Sequence, residues 1–259
     1  MPSADALLDE AARRPLLGWD ISYGGRIETA APPWNFEGVV DAWAARSPDL
    51  LDMGTGGGEW LSRRPFPKRR TVATEAWLPN VPVAQARLAP LDVSVVAVGG
   101  APDNADQAGA DSLPGLPFAD GAFHLVTNRH ESFVAAEVAR VLAPGGRFVT
   151  QQVGSDLGAP FRGLLGAAPL QAASVWRLSV AVDQVQSAGL DVTLWGEAET
   201  RMTFVDIGAL AWYLRHLPWV MPEFDIDRHR EALVALHGRS PLTAPQPMFW
   251  LAARKPTGD

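Results

Sequence analysis

Short runs of consecutive apolar residues alternate along this chain with stretches where apolar positions recur every three or four residues, and Gly or Pro separates them. The continuous runs suit strands buried on both faces, and the longer period suits helices with one covered face. In order, the pattern predicts a helix over 36–46, N-capped by Asn35 with Val39, Val40 and Trp43 on one face, and a strand over 50–53. A helix opening at Glu59-Trp60-Leu61-Ser62, a strand over 71–74 closed by Glu75, a helix including 83–88 and a strand over 93–98 follow. A fourth strand is expected at 123–127 and a helix at 133–142 with Val134, Val138, Val141 and Leu142 inward. Pro144-Gly145-Gly146 stops that helix before a fifth strand at 147–153. Helices over 174–188, 207–217 and 227–237, a sixth strand at 192–195 and a seventh at 248–253 complete the series. In the second of these helices Ile207, Leu210, Ala211 and Leu214 share one face, which marks it as core-facing. This alternation implies right-handed crossovers and a doubly wound α/β fold. Its sheet has seven mostly parallel strands with an antiparallel last strand, and helices on both faces. No repeat or linker interrupts it, so residues 1–259 read as a single domain.

Composition narrows the function. Apolar residues make up 47% of 259 positions, enough for a sizeable core, and 24 Gly with 22 Pro stay below low-complexity levels. The absence of cysteine removes disulfides, thiolate nucleophiles and Cys-type metal sites. No His or carboxylate cluster shows ligand spacing, so no metal is expected. The opening MPSADALLDE lacks a basic and apolar leader, and no uncharged apolar run reaches the roughly 18 residues of a membrane span. A cytoplasmic protein with no membrane partner is therefore expected. A net charge of −7 offers no broad attraction to phosphate backbones. The basic cluster Arg63-Arg64 with Lys68-Arg69-Arg70 is short, so nucleic acid is not the expected partner. No feature specifies an oligomeric state.

The chemistry concentrates in Leu50-Leu51-Asp52-Met53-Gly54-Thr55-Gly56-Gly57-Gly58-Glu59. Glycines between a strand and a helix allow a tight turn and let a ligand lie against bare backbone, although such a turn can also exist without a ligand. Glu75, ending the next strand, brings a carboxylate beside the loop that can accept hydrogen bonds from ribose hydroxyls. No Gly-Lys-Ser/Thr follows, which excludes a P-loop. Asp52, Gly54, Gly56 and Gly58 match Asp-x-Gly-x-Gly-x-Gly better than the dinucleotide pattern.

This stretch resembles motif I of the class I S-adenosylmethionine-dependent methyltransferases of small-molecule type. Three further segments agree: Glu75 with the family's ribose-binding acid, residues 110–118 with its adenine loop, and Glu137 to Phe148 with its helix, turn and fifth strand. The resemblance implies a Rossmann-like fold, with S-adenosylmethionine as cofactor and S-adenosylhomocysteine as product. By the same resemblance, Met53, Gly54, Thr55, Gly56 and Gly58 form the loop under the methionine and ribose. Glu75 takes the ribose hydroxyls, Ala76 or Trp77 flanks adenine, Asp111 and Ser112 meet its amino edge, and Asn128 presents to the amino acid part. The fourth strand departs from the family's Phe-Asp-x-Val, reading Phe123-His124-Leu125-Val126.

Methyl transfer needs an aligned acceptor and exclusion of water more than it needs a set of acids and bases. No Asn-Pro-Pro-Tyr or Asp-Pro-Pro-Tyr follows the fourth strand; Asn128-Arg129-His130-Glu131 stands there instead. His130 is the candidate base or acceptor-orienting residue, and a polar helix cap formed with Glu131 is the alternative. Trp34, in a segment with Trp19 and Tyr23, is expected in a lid over the cofactor formed by residues 1–35, or as a staple of the first helix. Residues 196–240, with Trp212, Tyr213, His216, Trp219 and Met221, are a candidate substrate-recognition insertion. The expected activity is methyl transfer to a small organic acceptor. Alternatives are a non-methylating protein on the same fold, such as a regulator or cyclase, and an RNA or protein methyltransferase. A nicotinamide oxidoreductase is weakened by the lack of a Tyr-x-x-x-Lys pair.

Overall fold

The computed structural model describes residues 2–67, 70–101, 104, 115–155, 159–169 and 175–258. Their contacts divide into two compact units. The larger comprises Pro33–Val153, Trp176–Glu197 and Met248–Asp259; the smaller comprises Met1–Pro32, Gly154–Val175 and Ala198–Pro247. Residues 1–32 and 198–247, far apart in sequence, thus belong to the same unit.

The larger unit opens with helix α2, Phe36–Ala44, whose Asn35 side chain accepts a hydrogen bond from the Gly38 amide at 2.9 Å. Strands β2 (Leu50–Met53), β3 (Thr71–Glu75), β4 (Ser94–Ala97), β5 (Phe123–Arg129) and β6 (Leu142–Val153) follow. Helices α3 (Val81–Leu88) and α4 (Ala135–Val141) lie between them, and α6 (Leu178–Ser187) precedes β7 (Asp191–Phe204). Gly189, at φ +81°, ends α6, as its position in the pattern implies. Strand β8 (Leu242–Arg254) closes the chain, antiparallel to β6.

Neighbouring strands run β7-β8-β6-β5-β2-β3-β4, with β2, β3, β4, β5 and β6 mutually parallel. Because adjacent strand residues face opposite ways, Leu51, Val126, Phe148 and Leu251 enter one core layer, and Leu50, Leu125, Val149 and Ala252 the other. Strand β2 is buried at all four positions, which accounts for its unbroken apolar run. The chain order reverses between β2 and β5, so loops leaving those two strands diverge and leave a crevice at their carboxyl ends.

Four expectations need correction. The fifth strand, β6, begins at Leu142 instead of Arg147, so Pro144-Gly145-Gly146 lies within it and α4 ends before it, at Val141. The helix opening at Glu59 is only a 3-10 turn, Leu61–Arg63, because Arg64, which precedes Pro65, is extended. The sixth strand runs to 14 residues instead of four, and an eighth strand, β1 (Ile27–Thr29), pairs antiparallel with its far end in the smaller unit. Helices α1 (Ala4–Arg13) and α5 (Ala159–Leu164) were also not foreseen from the sequence.

In the smaller unit α7 (Ile207–His216) is buried along nearly its whole length and α8 is Arg230–Leu236. Arg26 joins Asp206 (2.6 Å) and Glu10 (2.9 Å) while lying over the Tyr23 ring. Among the described residues no helix is long and apolar enough to cross a membrane.

Candidate functional site

At the carboxyl end of β2 the chain turns through Gly54 (φ +67°), Gly56 (φ +63°) and Gly58 (φ +78°), conformations that a side chain strains. The turn is tied to the end of β3. The Thr55 amide donates to the Thr74 carbonyl at 2.9 Å and the Gly56 amide to Glu75 Oε2 at 2.7 Å. The other oxygen of Glu75 accepts from the Trp77 amide at 2.8 Å. Glu75 is 4% exposed, and burial raises its carboxyl above the usual range despite these amides. The Ala76 amide reaches the same carboxyl, so three backbone amides converge on it. A side chain at Gly58 would strike Leu88 of α3, so this glycine serves close packing of helix on loop.

Beside the turn lies a cleft of about 560 Å³, its open mouth included. Its lining includes Met53 and Gly54 from the end of β2, Thr74 and Ala76 around Glu75, Val98 beyond β4, Leu116, and Glu131 with Phe133 beyond β5. It therefore occupies the crevice at the reversal of strand order. The described end of the 110–118 loop is fastened by α4. Glu137 accepts from the Leu116 amide at 2.7 Å, and Arg140 donates to the carbonyls of Phe118 (2.7 Å) and Leu116 (2.9 Å).

The segment leaving β5 is held by two adjacent glutamines of β6 that face opposite ways. Gln152, 2% exposed, donates to Asn128 Oδ1 at 2.7 Å and to the Glu131 carbonyl at 3.1 Å. Gln151 accepts from the Trp34 indole at 2.8 Å, which orients its amide nitrogen toward His130 Nε2 at 3.4 Å. That contact puts the ring proton on Nδ1, which is buried with no partner among the described residues. Burial, with the nearby Arg129 charge, lowers the His130 pKa to about 3, so the ring is neutral. Its backbone is left-handed, φ +65°.

Beneath the turn, Asp52 is 3% exposed and accepts from the Thr127 hydroxyl at 2.7 Å. Burial raises its pKa to about 6. Glu131 lies directly over Gly54, where a Cβ would collide with it. Burial, and then the charge of Glu75, push Glu131 up to about 7.

Solved structures with this architecture include the YcgJ protein of Bacillus subtilis, with a TM-score of 0.58 at 18% identity over 86% of this chain and 99% of that one. A candidate methyltransferase of Bacillus halodurans C-125 gives 0.53 at 18% identity, covering 85% of this chain and 99% of the other. A structure solved for the conversion of a disulfide bond into a thioacetal group during echinomycin biosynthesis gives 0.52 at 15%, covering 95% and 88%. The chain has the class I methyltransferase fold. No protein-family model and no curated protein matches it in sequence.

On the methyltransferase fold, the residues expected at the cofactor divide by position. Met53, Gly54 and Ala76 line the cleft. Thr55, Gly56, Gly58 and Glu75 build the turn and the end of β3 that shape it. Asn128 is fully buried in the Gln152 network, with its oxygen shared between Gln152 and Thr150. Trp34 packs on the opposite core layer, joined to Gln151, and neither it nor His130 lines the cleft. Asp111 and Ser112 lie outside the described residues. In the 196–240 region, Trp212, Tyr213 and Met221 are buried in the smaller unit, whereas Trp219 is exposed and stacks on Trp19 at 6.1 Å. Glu131 is the cleft residue that sequence reasoning passed over as a helix cap. The available signal was a left-handed-tolerant His directly before an acid at a strand end.

Proposed function

We propose that this chain binds S-adenosylmethionine in the cleft and transfers its methyl group to a small organic acceptor. The observation that carries the reading is the turn itself: Gly54 at the end of β2 lines the cleft, and Thr74 and Ala76 line it on either side of Glu75, whose carboxyl ties the turn to β3. The residues present fit the group. In this reading Met53 and Gly54 hold the methionine part and Glu75 takes the ribose hydroxyls. Ala76, Val98 and Leu116 supply apolar walls for adenine, with Asp111 and Ser112 proposed at its amino edge. The cofactor supplies a methyl group on a cationic sulfur, open to direct attack by a nucleophile. The protein's part is to align the acceptor and exclude water.

A small acceptor is favoured because the described basic residues around 63–70 are engaged within the chain. Arg64 pairs with Glu37 and Asp41, Arg63 bonds the Glu59 carbonyl, and Arg70 pairs with Asp49. The test is calorimetric titration of the purified protein with S-adenosylmethionine, S-adenosylhomocysteine and NADH. Binding of the first two without NADH is expected; binding of neither overturns the reading.

A further inference from the structure

We propose that Glu131 is the anionic counterpart of a positively charged centre in the ligand of this cleft, so that the cleft takes the sulfonium cofactor in preference to its uncharged thioether product. The inference rests on the cofactor reading above. Glu131 projects over Gly54, and both residues line the cleft. Gln152 grips its carbonyl and His130 supplies the left-handed turn that delivers it there. Among the described residues, no hydrogen bond or ion pair reaches its carboxyl and no Lys, Arg or His lines the cleft. A largely buried carboxylate in that state either keeps its proton or meets a cation.

The surrounding charges leave the place for that cation open. Glu75 faces it from β3, already met by three backbone amides. Glu137 faces the cleft from α4 and is neutralised by Arg140 at 2.8 Å. Asp52 lies below from β2, bound to Thr127. On its own segment, Arg129 lies over the Trp60 ring at 5.5 Å and His130 is neutral. Among the described cleft residues, Glu131 is thus the carboxyl without a partner. Its upward shift to about 7 means that a cationic sulfur placed against it displaces a proton near neutral pH, whereas an uncharged thioether sulfur there does not. Substrate and product of methyl transfer differ by one positive charge, and Glu131 reads that difference.

The test is calorimetric titration of wild type and Glu131→Gln with S-adenosylmethionine and S-adenosylhomocysteine at pH 7.5 and 5.5. At pH 7.5 wild type should bind the sulfonium about tenfold more tightly than the thioether, the scale of one partly screened charge contact. In Glu131→Gln that ratio should fall toward one through loss of sulfonium affinity alone. In wild type it should also shrink at pH 5.5, an arm that depends on no variant folding. If both ligands bind and the ratio is the same in the variant and at both pH values, the inference falls and the cofactor reading stands. An equal loss for both ligands in the variant overturns it too, because Glu131 would then contact a group they share. Binding of neither ligand to wild type overturns the cofactor reading together with this inference.

Discussion

His130 occupies a position where its ring must stay neutral to remain folded in place. Its pKa is lowered to about 3 chiefly by burial, whereas in an unfolded chain it is near 6.5. For a histidine shifted downward, the stability is fully present above the unfolded value and is lost as pH falls from about 6.5 toward 3. Asparagine tolerates the same left-handed backbone and does not titrate. His130→Asn should therefore gain on wild type by about 1 kcal/mol between pH 7.5 and 5.5 in urea unfolding. Asp52 and Glu131, both raised, titrate in the opposite sense, losing stability as pH rises through about 6 and 7. The difference between the variant and wild type, measured at each pH, isolates the histidine. A difference that does not change with pH would mean that the ring is charged in the folded state.

Helix α4 shows how an element can shape a cleft from one of its sides. Its Glu137 and Arg140, one turn apart, clasp each other at 2.8 Å and fasten the Leu116 amide and carbonyl and the Phe118 carbonyl. The planar Arg140 guanidinium makes five hydrogen bonds at once, Asp120 included, more than the three N–H donors of an ammonium supply. Arg140→Ala should cost about 1–3 kcal/mol of stability, speed exchange of the Leu116 amide and weaken cofactor binding severalfold. Arg140→Lys should recover little of this. Unchanged exchange at Leu116 would show that the loop is held by other groups. The helix was legible in sequence, because its period is a local signal, but Pro144-Gly145-Gly146, expected to stop it, lies inside β6, which already begins at Leu142. Also legible were β2, the glycine turn and Glu75, where a fully buried strand meets backbone geometry that glycine adopts without strain. Strand β1 was not legible, since three residues carry no periodicity. Most of β7 was not either, because its alternation is masked by exposure of Leu194 and Trp195. Glu131 was missed because nothing local separates a carboxyl that caps a helix from one that Gln152, 21 residues away, holds over Gly54.

At the scale of the molecule, net charge and the pairing of its basic residues decide what kind of acceptor can approach. The chain carries 29 acidic and 22 basic side chains, so its mean field repels phosphate backbones. A local basic cluster could override this only if its charges were free to release counterions. Arg64, Arg63 and Arg70 are instead directed at Glu37, Asp41, the Glu59 carbonyl and Asp49. Lys68 and Arg69 lie outside the described residues. With Arg63, whose partner is a carbonyl and not an acid, these make three charges, too few phosphate contacts for tight non-specific binding, since affinity scales with the number neutralised. Labelled single-stranded and hairpin RNA should therefore show no anisotropy change with micromolar protein at 50 mM salt. Binding there that weakens steeply as salt rises would instead mean that the self-pairing of Arg63, Arg64 and Arg70 yields to phosphate, and a polymer acceptor would displace the small molecule.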